Sequence, residues 1–162
     1  MNLIGQADVV IDAKARLAVP SKFRAELPPP QPVPTTSDEP PRLTLVAMPR
    51  PDGTVWLYPE SAFNELSVKR APSLDIEDEE AELNRILFGM SERVTFDSQH
   101  RVTLPRKILG ITDLKPSDEV TVVGVQNHME IHPRERWAER ERERLGQLST
   151  LAARLAQRRR GL

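Results

Sequence analysis

Short β-prone runs bounded by turn residues punctuate this chain. Val9-Val10-Ile11, Leu17-Ala18-Val19, Leu43-Thr44-Leu45-Val46 and Trp56-Leu57-Tyr58 form a first set of four. Val94-Thr95-Phe96, Val102-Thr103-Leu104, Val120-Thr121-Val122-Val123 and Glu130-Ile131-His132 form a second. Their length and their β-branched and aromatic content predict strands. Pro20 and Pro105 follow the second strand of each set. With φ fixed near helical values and no amide donor, each predicts the start of a helical turn, the first running on to Leu27. Pro51-Asp52-Gly53 predicts a tight turn between strands, and Gln126-Asn127-His128 a shorter one. Helical periodicity appears from Ile76 to Met90, where Ile76, Leu83, Ile86 and Leu87 make an apolar stripe. It returns after Trp137, where Leu145, Leu148, Leu151 and Leu155 recur and Arg158 to Arg160 supply a basic end suited to a helix C-terminus.

The strands fall into two sets because the sequence repeats. Asp12 to Phe23, DAKARLAVPSKF, returns as Asp97 to Ile108, DSQHRVTLPRKI. Each has Asp, then Arg four places on, three apolar or β-prone residues, Pro, and Lys two places later. Trp56 to Pro59 followed by Phe63 matches Glu130 to Pro133 followed by Trp137. A unit of about four short strands buries too little surface to stand alone, so the two units are expected to pack into one β-rich body. The expected fold class is mainly β with peripheral helices. The units are placed at 7–61, with a proline-rich insert at 28–41, and at 91–134. An acidic helical linker at 62–90 joins them, and a helical extension at 135–162 follows.

Composition narrows the function. Among 162 residues, 29% are charged and 38% hydrophobic, as in a globular domain, and with 4% aromatics the core must rest on Val, Leu and Ile. There is no Cys, which excludes disulfides and thiolate zinc sites. No signal-peptide pattern opens the chain and no apolar window is long enough for a bilayer, so a cytoplasmic protein is expected. Net charge is −1, but Asp75 to Glu82, DIEDEEAE, offsets basic clusters elsewhere, and local fields rather than the sum choose partners.

Asp12 and Arg16 bracket a three-residue connection, as do Asp97 and Arg101. An Asp at a loop entrance can accept the loop's amides and hold the Arg, which makes the pair a structural clasp. The same pair can present Lys14 at the tip and Arg16 at the base to a phosphate or a guanine edge. The residues alone leave both readings open.

These motifs, DAKARLAVPSKFR and DSQHRVTLPRKIL with LYPESAF and IHPRERW after them, resemble the MraZ family of bacterial transcriptional regulators, within the AbrB-like (SpoVT-AbrB) superfamily. The resemblance runs from about Ile4 to Trp137. It implies two tandem SpoVT-AbrB domains packed as a pseudo-twofold double-split β-barrel. It further implies a ring-shaped homo-oligomer, binding to short direct repeats in double-stranded DNA, and repression of the division and cell-wall gene cluster by a nucleoid-associated protein. Carried over, the signature falls on Asp12 with Arg16 and Asp97 with Arg101, and favours Arg16 as a DNA ligand. The family usually has Gly before the signature Arg. This chain has Ala15 and His100 there, so either the loops differ in geometry or they accept the strain of a Cβ at positive φ, on the order of 1 kcal/mol.

The expected DNA-binding residues are Lys14, Arg16, Lys22, Arg24, Arg101, Arg106 and Lys107, with Asp12 and Asp97 as clasps. Arg101 is the weaker candidate, because Ser98-Gln99-His100 carries no permanent cation, and the second unit is expected to serve chiefly for assembly. Neither cofactor, metal nor small-molecule substrate is expected. An enzyme is disfavoured: no nucleophile stands beside a base, and His128 and His132, four residues apart on a strand, would lie roughly 13 Å apart, too far for one ion. The alternative is a protein-interaction or assembly module of the same superfamily, which the acidic helix and the Leu-striped C-terminus would suit.

Overall fold

The computed structural model describes residues 1–30, 38, 40–69 and 77–161. In chain order the elements are β1 (Leu3–Val10), β2 (Arg16–Ala18), α1 (Ser21–Arg24), β3 (Thr44–Pro49), β4 (Val55–Pro59), α2 (Glu60–Lys69) and α3 (Asp78–Gly89). Then come β5 (Glu92–Thr95), β6 (Arg101–Thr103), α4 (Arg106–Gly110), β7 (Glu119–Gln126), β8 (His128–Pro133), α5 (Arg134–Gly146) and α6 (Leu148–Arg160). Both repeats thus give strand, loop, strand, helical turn, hairpin and helix, as the pattern predicts. Two boundaries differ. The turn opened by Pro20 ends as helix at Arg24, because Pro28 disfavours helical backbone at Leu27. The acidic helix starts at Asp78, and Ile76 lies outside the described residues, as does most of the insert.

Six strands form one antiparallel sheet in the order β1-β7-β8-β4-β3-β5, and β2 with β6 makes a separate two-stranded ribbon. The order reads the same from either end when the repeats are exchanged. The first strand of each unit pairs not with its own unit but with the third strand of the other: β1 with β7, and β5 with β3. The two fourth strands, β4 and β8, meet in the middle. Gly124 sits in β7 because β1 runs so close to it. A Cβ there would stand 2.7 Å from the carbonyl carbon of Leu3.

Alternation along the strands sorts side chains onto two faces. One face, with the ribbon and the helical turns, encloses the main core of Leu17, Phe23, Leu45, Leu57, Val102, Ile108, Val122 and Ile131, all at most 1% exposed. On the other face Val46, Met48 and Tyr58 pack under Ala62 and Phe63 of α2, with Leu87 of α3 against them. Among the described residues no helix is long and apolar enough to cross a membrane.

The outer face of β8 carries an unexpected polar row. His128, Glu130 and His132 point the same way, and Glu130 bridges the two rings: Oε2 lies 3.0 Å from Nε2 of His128 and Oε1 2.9 Å from Nε2 of His132. His128 is stacked on Trp56 and Tyr58, at 4.5 and 4.7 Å between ring centroids. Burial of Glu130 works against its charge, but hydrogen bonds to His128 and His132 outweigh it and hold the carboxyl down at about 2. A carboxyl depressed in the folded state stabilises the fold above its unfolded value near 4.5, and loses that contribution as pH falls through the folded value. Glu130→Gln is therefore expected to cost about 1–2 kcal/mol at pH 7 by urea unfolding. Its difference from wild type should shrink as pH falls from about 4.5 towards about 2.

Candidate nucleic-acid interface

The two Asp-Arg loops are built alike, atom for atom. In the first, Oδ1 of Asp12 accepts the amides of Lys14 at 2.9 Å and Arg16 at 2.8 Å, while Oδ2 accepts Nε of Arg16 at 2.6 Å. In the second, Oδ1 of Asp97 accepts the amides of Gln99 at 2.8 Å and Arg101 at 2.9 Å, and Oδ2 accepts Nε of Arg101 at 2.9 Å. The Arg16 amide is the largest influence holding the Asp12 carboxyl below its ordinary value. Desolvation opposes it, and the Arg16 side chain and Lys14 amide assist. Asp97 is lowered in the same way, first by the Arg101 amide.

The loops close through residues of left-handed backbone. Ala15 has φ 63° and His100 has φ 61°. These are the positions where the resemblance expects Gly, and the chain keeps the conformation while carrying a Cβ. His enters this region more readily than most residues, Ala less so, and the strain falls mainly on Ala15.

The strained carbonyls are put to use. The carbonyl of His100 accepts the amide of Val19 at 3.1 Å, and that of Ala15 accepts the amide of Leu104 at 2.8 Å. Each loop therefore holds the return strand of the other repeat. Between these bonds lies the ribbon, pairing Arg16 with Thr103, Leu17 with Val102 and Ala18 with Arg101. Leu17 and Val102 face the core at 0% exposure. Arg16, Ala18, Arg101 and Thr103 face outward by alternation, which makes Arg16 and Arg101 diagonal neighbours on one surface, with Cα atoms about 7–8 Å apart. Their side chains are 30% and 26% exposed, so the clasp does not bury them. Each clasp engages only Nε, and among the described residues no hydrogen bond is made by Nη1 or Nη2 of either guanidinium.

The remaining candidates divide. Lys14 is exposed at the tip of its loop, and Arg106 and Lys107 are exposed on α4. Lys22 donates to the carbonyl of Gln6 and lies 5.3 Å from the Phe23 ring centroid. Nε of Arg24 donates to the carbonyl of Val19 at 3.0 Å. Lys22 is thus engaged within its own chain, and Arg24, like the clasped arginines, is held at Nε. The sequence reading missed the juxtaposition of Arg16 with Arg101, because nothing in either repeat says which neighbour its second strand will take. It also left the insert unplaced. The described ends of that segment, Pro28 to Pro30 and Pro40 to Pro41, line a cleft of about 550 Å³ together with Phe96, Asp97 and His100. The insert of the first repeat thus borders the clasp of the second.

Relieving the strain should show in stability. Ala15→Gly keeps the loop and removes the clash of Cβ with backbone. It is expected to gain on the order of 1 kcal/mol by urea unfolding, with a smaller gain for His100→Gly.

Comparison with known proteins places the chain in a family. Residues 87–159 match the family model described as "MraZ protein, putative antitoxin-like". The transcriptional regulator MraZ of Thermomicrobium roseum is 32% identical over 136 residues, 83% of this chain and 84% of that protein. The transcriptional regulator MraZ of a Roseiflexus species is 29% identical over 135 residues, 83% and 82% of the two chains. That of Pseudoalteromonas translucida is 27% identical over 147 residues, 88% and 90% of the two chains. With a relative this similar along most of both lengths, the chain belongs to the MraZ family.

Proposed function

We propose that this protein is a sequence-specific, double-stranded DNA-binding transcriptional regulator, and that the outward face of the β2–β6 ribbon is its reading surface. The observation that carries this is the pair of guanidinium groups, each fixed at Nε and open at both Nη atoms, side by side on one exposed ribbon. A clasp that grips only Nε orients the planar fork without using its bidentate edge, the edge that suits a phosphate or the O6 and N7 of guanine. Lys14, Arg106 and Lys107 flank the pair and contribute backbone contacts. Lys22 and Arg24 act indirectly, by fixing β1 and the turn after β2.

In this reading the two SpoVT-AbrB units, 7–61 and 91–134, are intertwined as a pseudo-twofold double-split barrel, a description supported by the palindromic strand order. One ribbon offers few cations, and each phosphate contact is screened at cellular salt. Several copies of the chain in a ring, meeting direct repeats on the duplex, would supply the rest by raising effective concentration. In this reading the chain represses the division and cell-wall gene cluster as a cytoplasmic, nucleoid-associated protein, an assignment that family membership supports. The reading involves no catalysis and no cofactor. The competing reading, a protein-interaction module without a DNA role, draws on the exposed leucines of α6.

The arginines decide between them. Arg16→Ala and Arg101→Ala should each weaken binding to a duplex from the protein's own upstream region at least tenfold. Each should also reduce the slope of log K against log salt by roughly one unit, leaving the oligomer mass unchanged. If both variants bind as wild type does across the salt titration, the loops are clasps only and the interaction-module reading stands.

A further inference from the structure

Helix α6 and the side of α3 turned away from the sheet carry exposed apolar faces that complement one another. On α6, Leu148, Leu151 and Leu155 are 64%, 49% and 52% exposed. On α3 and its C-terminal cap, Leu83, Ile86 and Met90 are 39%, 49% and 42% exposed, while Leu87 turns inward against the sheet. Both rows have spacings of three and four residues, the spacing of a helix–helix seam. Both span seven residues, about 10 Å at roughly 1.5 Å per residue.

The charges match as well. With its capping Glu77, α3 carries Glu77, Asp78, Glu79, Glu80 and Glu82 against Arg85 alone, and they gather at its N-terminal end. Helix α6 carries Arg154, Arg158, Arg159 and Arg160 with no acid, gathered at its C-terminal end. Net charges of −4 and +4 therefore sit at opposite poles of two apolar rows of equal length.

We infer that α6 of one copy docks antiparallel on α3 of the next copy, with Leu148 near Met90, Leu151 near Ile86 and Leu155 near Leu83. Only the antiparallel direction matches both features at once. It sets Arg158 and Arg159, one turn beyond Leu155, against Glu79 and Glu82, one turn before Leu83 and Ile86. In a parallel alignment of the same rows Arg158 and Arg159 would lie beyond Met90, past the end of α3, and Glu79 and Glu82 before Leu148, short of α6. The two macrodipoles also oppose favourably in this direction. The contact joins two different surfaces, so every copy offers one of each. Such head-to-tail contacts propagate and close into a ring when the rotation per copy permits. This deepens the assembly part of the proposed function and rests on that reading only for the ring, since it requires no DNA.

Charge reversal tests it on the full chain, by mass measurement without DNA. Arg158→Glu with Arg159→Glu makes one variant, and Glu79→Lys with Glu82→Lys makes the other. Each alone is expected to lose the wild-type oligomer mass, with its circular dichroism and Tm showing a folded chain. An equimolar mixture should recover that mass, because each variant then offers the face the other needs. Leu151→Asp should lose it without recovery by either partner. Retention of the wild-type mass by both charge variants overturns the inference. So does failure of the mixture to recover it, or a wild-type chain that stays monomeric through the micromolar range. A lower Tm at unchanged mass would mean that α6 docks on its own chain, which also overturns it. A protein that passes these tests and fails to bind DNA would refute the regulator reading while leaving this interface in place.

Discussion

Each Asp-Arg loop of this molecule holds the opposite repeat through a carbonyl forced outward by left-handed backbone. Val19 bonds to His100 and Leu104 to Ala15, and three paired residues on each side complete the ribbon between them. A ribbon this short has no independent stability. It exists because Leu17 and Val102 enter a core assembled from both repeats, and because β1 and β5 have crossed to pair with β7 and β3. Each repeat takes strand partners and core contacts from the other. That mutual dependence explains why a chain with so few aromatic residues builds its main core from both repeats instead of a marginal one from each.

The same arrangement joins structure to function. An Asp that accepts two loop amides and Nε of an Arg satisfies groups that a tight loop would otherwise leave without partners. It also removes the rotational freedom of the guanidinium without covering its outer edge, so less entropy is lost when a ligand arrives. On the proposed reading the clasp and the reader, which look like rival roles for Asp12 and Arg16, would both come from one geometry. The repeats differ around it. The first adds Lys14 at its tip, whereas the second has Gln99 there and is bordered by the proline-rich segment of the first. If the proposed DNA contact holds, symmetric pairing with asymmetric decoration would give the surface a means to choose an orientation on a duplex.

Much of this was legible in the sequence, for identifiable reasons. Strand positions followed from β-branched runs, the hairpins from Pro-Asp-Gly and Gln-Asn-His, and the clasps from the repeated Asp and Arg. The αL positions were only half legible, because Ala15 and His100 in place of the family's Gly left open a loop of different geometry. What escaped was relational. Alternation says which residues share a face, not which strand lies alongside, so the exchange of β1 and β5 between repeats was not readable, nor was Arg16 beside Arg101. Nothing in Lys22 or Arg24 announced that Lys22 would donate to the carbonyl of Gln6 and Nε of Arg24 to that of Val19. The row His128-Glu130-His132 was read only as two distant histidines. Its bridging carboxylate becomes visible once the strand is known to turn all three outward beneath the helices.

The claim on which the account turns is that both repeats present one composite surface to the double helix from the middle of the ribbon. Ala18 and Thr103 lie on that surface, exposed and free of side-chain hydrogen bonds among the described residues, so a photo-reactive residue at either position reports on it without disturbing the clasps. Irradiation with native upstream duplex should give cross-links from both positions, competed away by the same unlabelled sequence. Cross-links confined to a probe on α6, with neither ribbon position labelled, would contradict it.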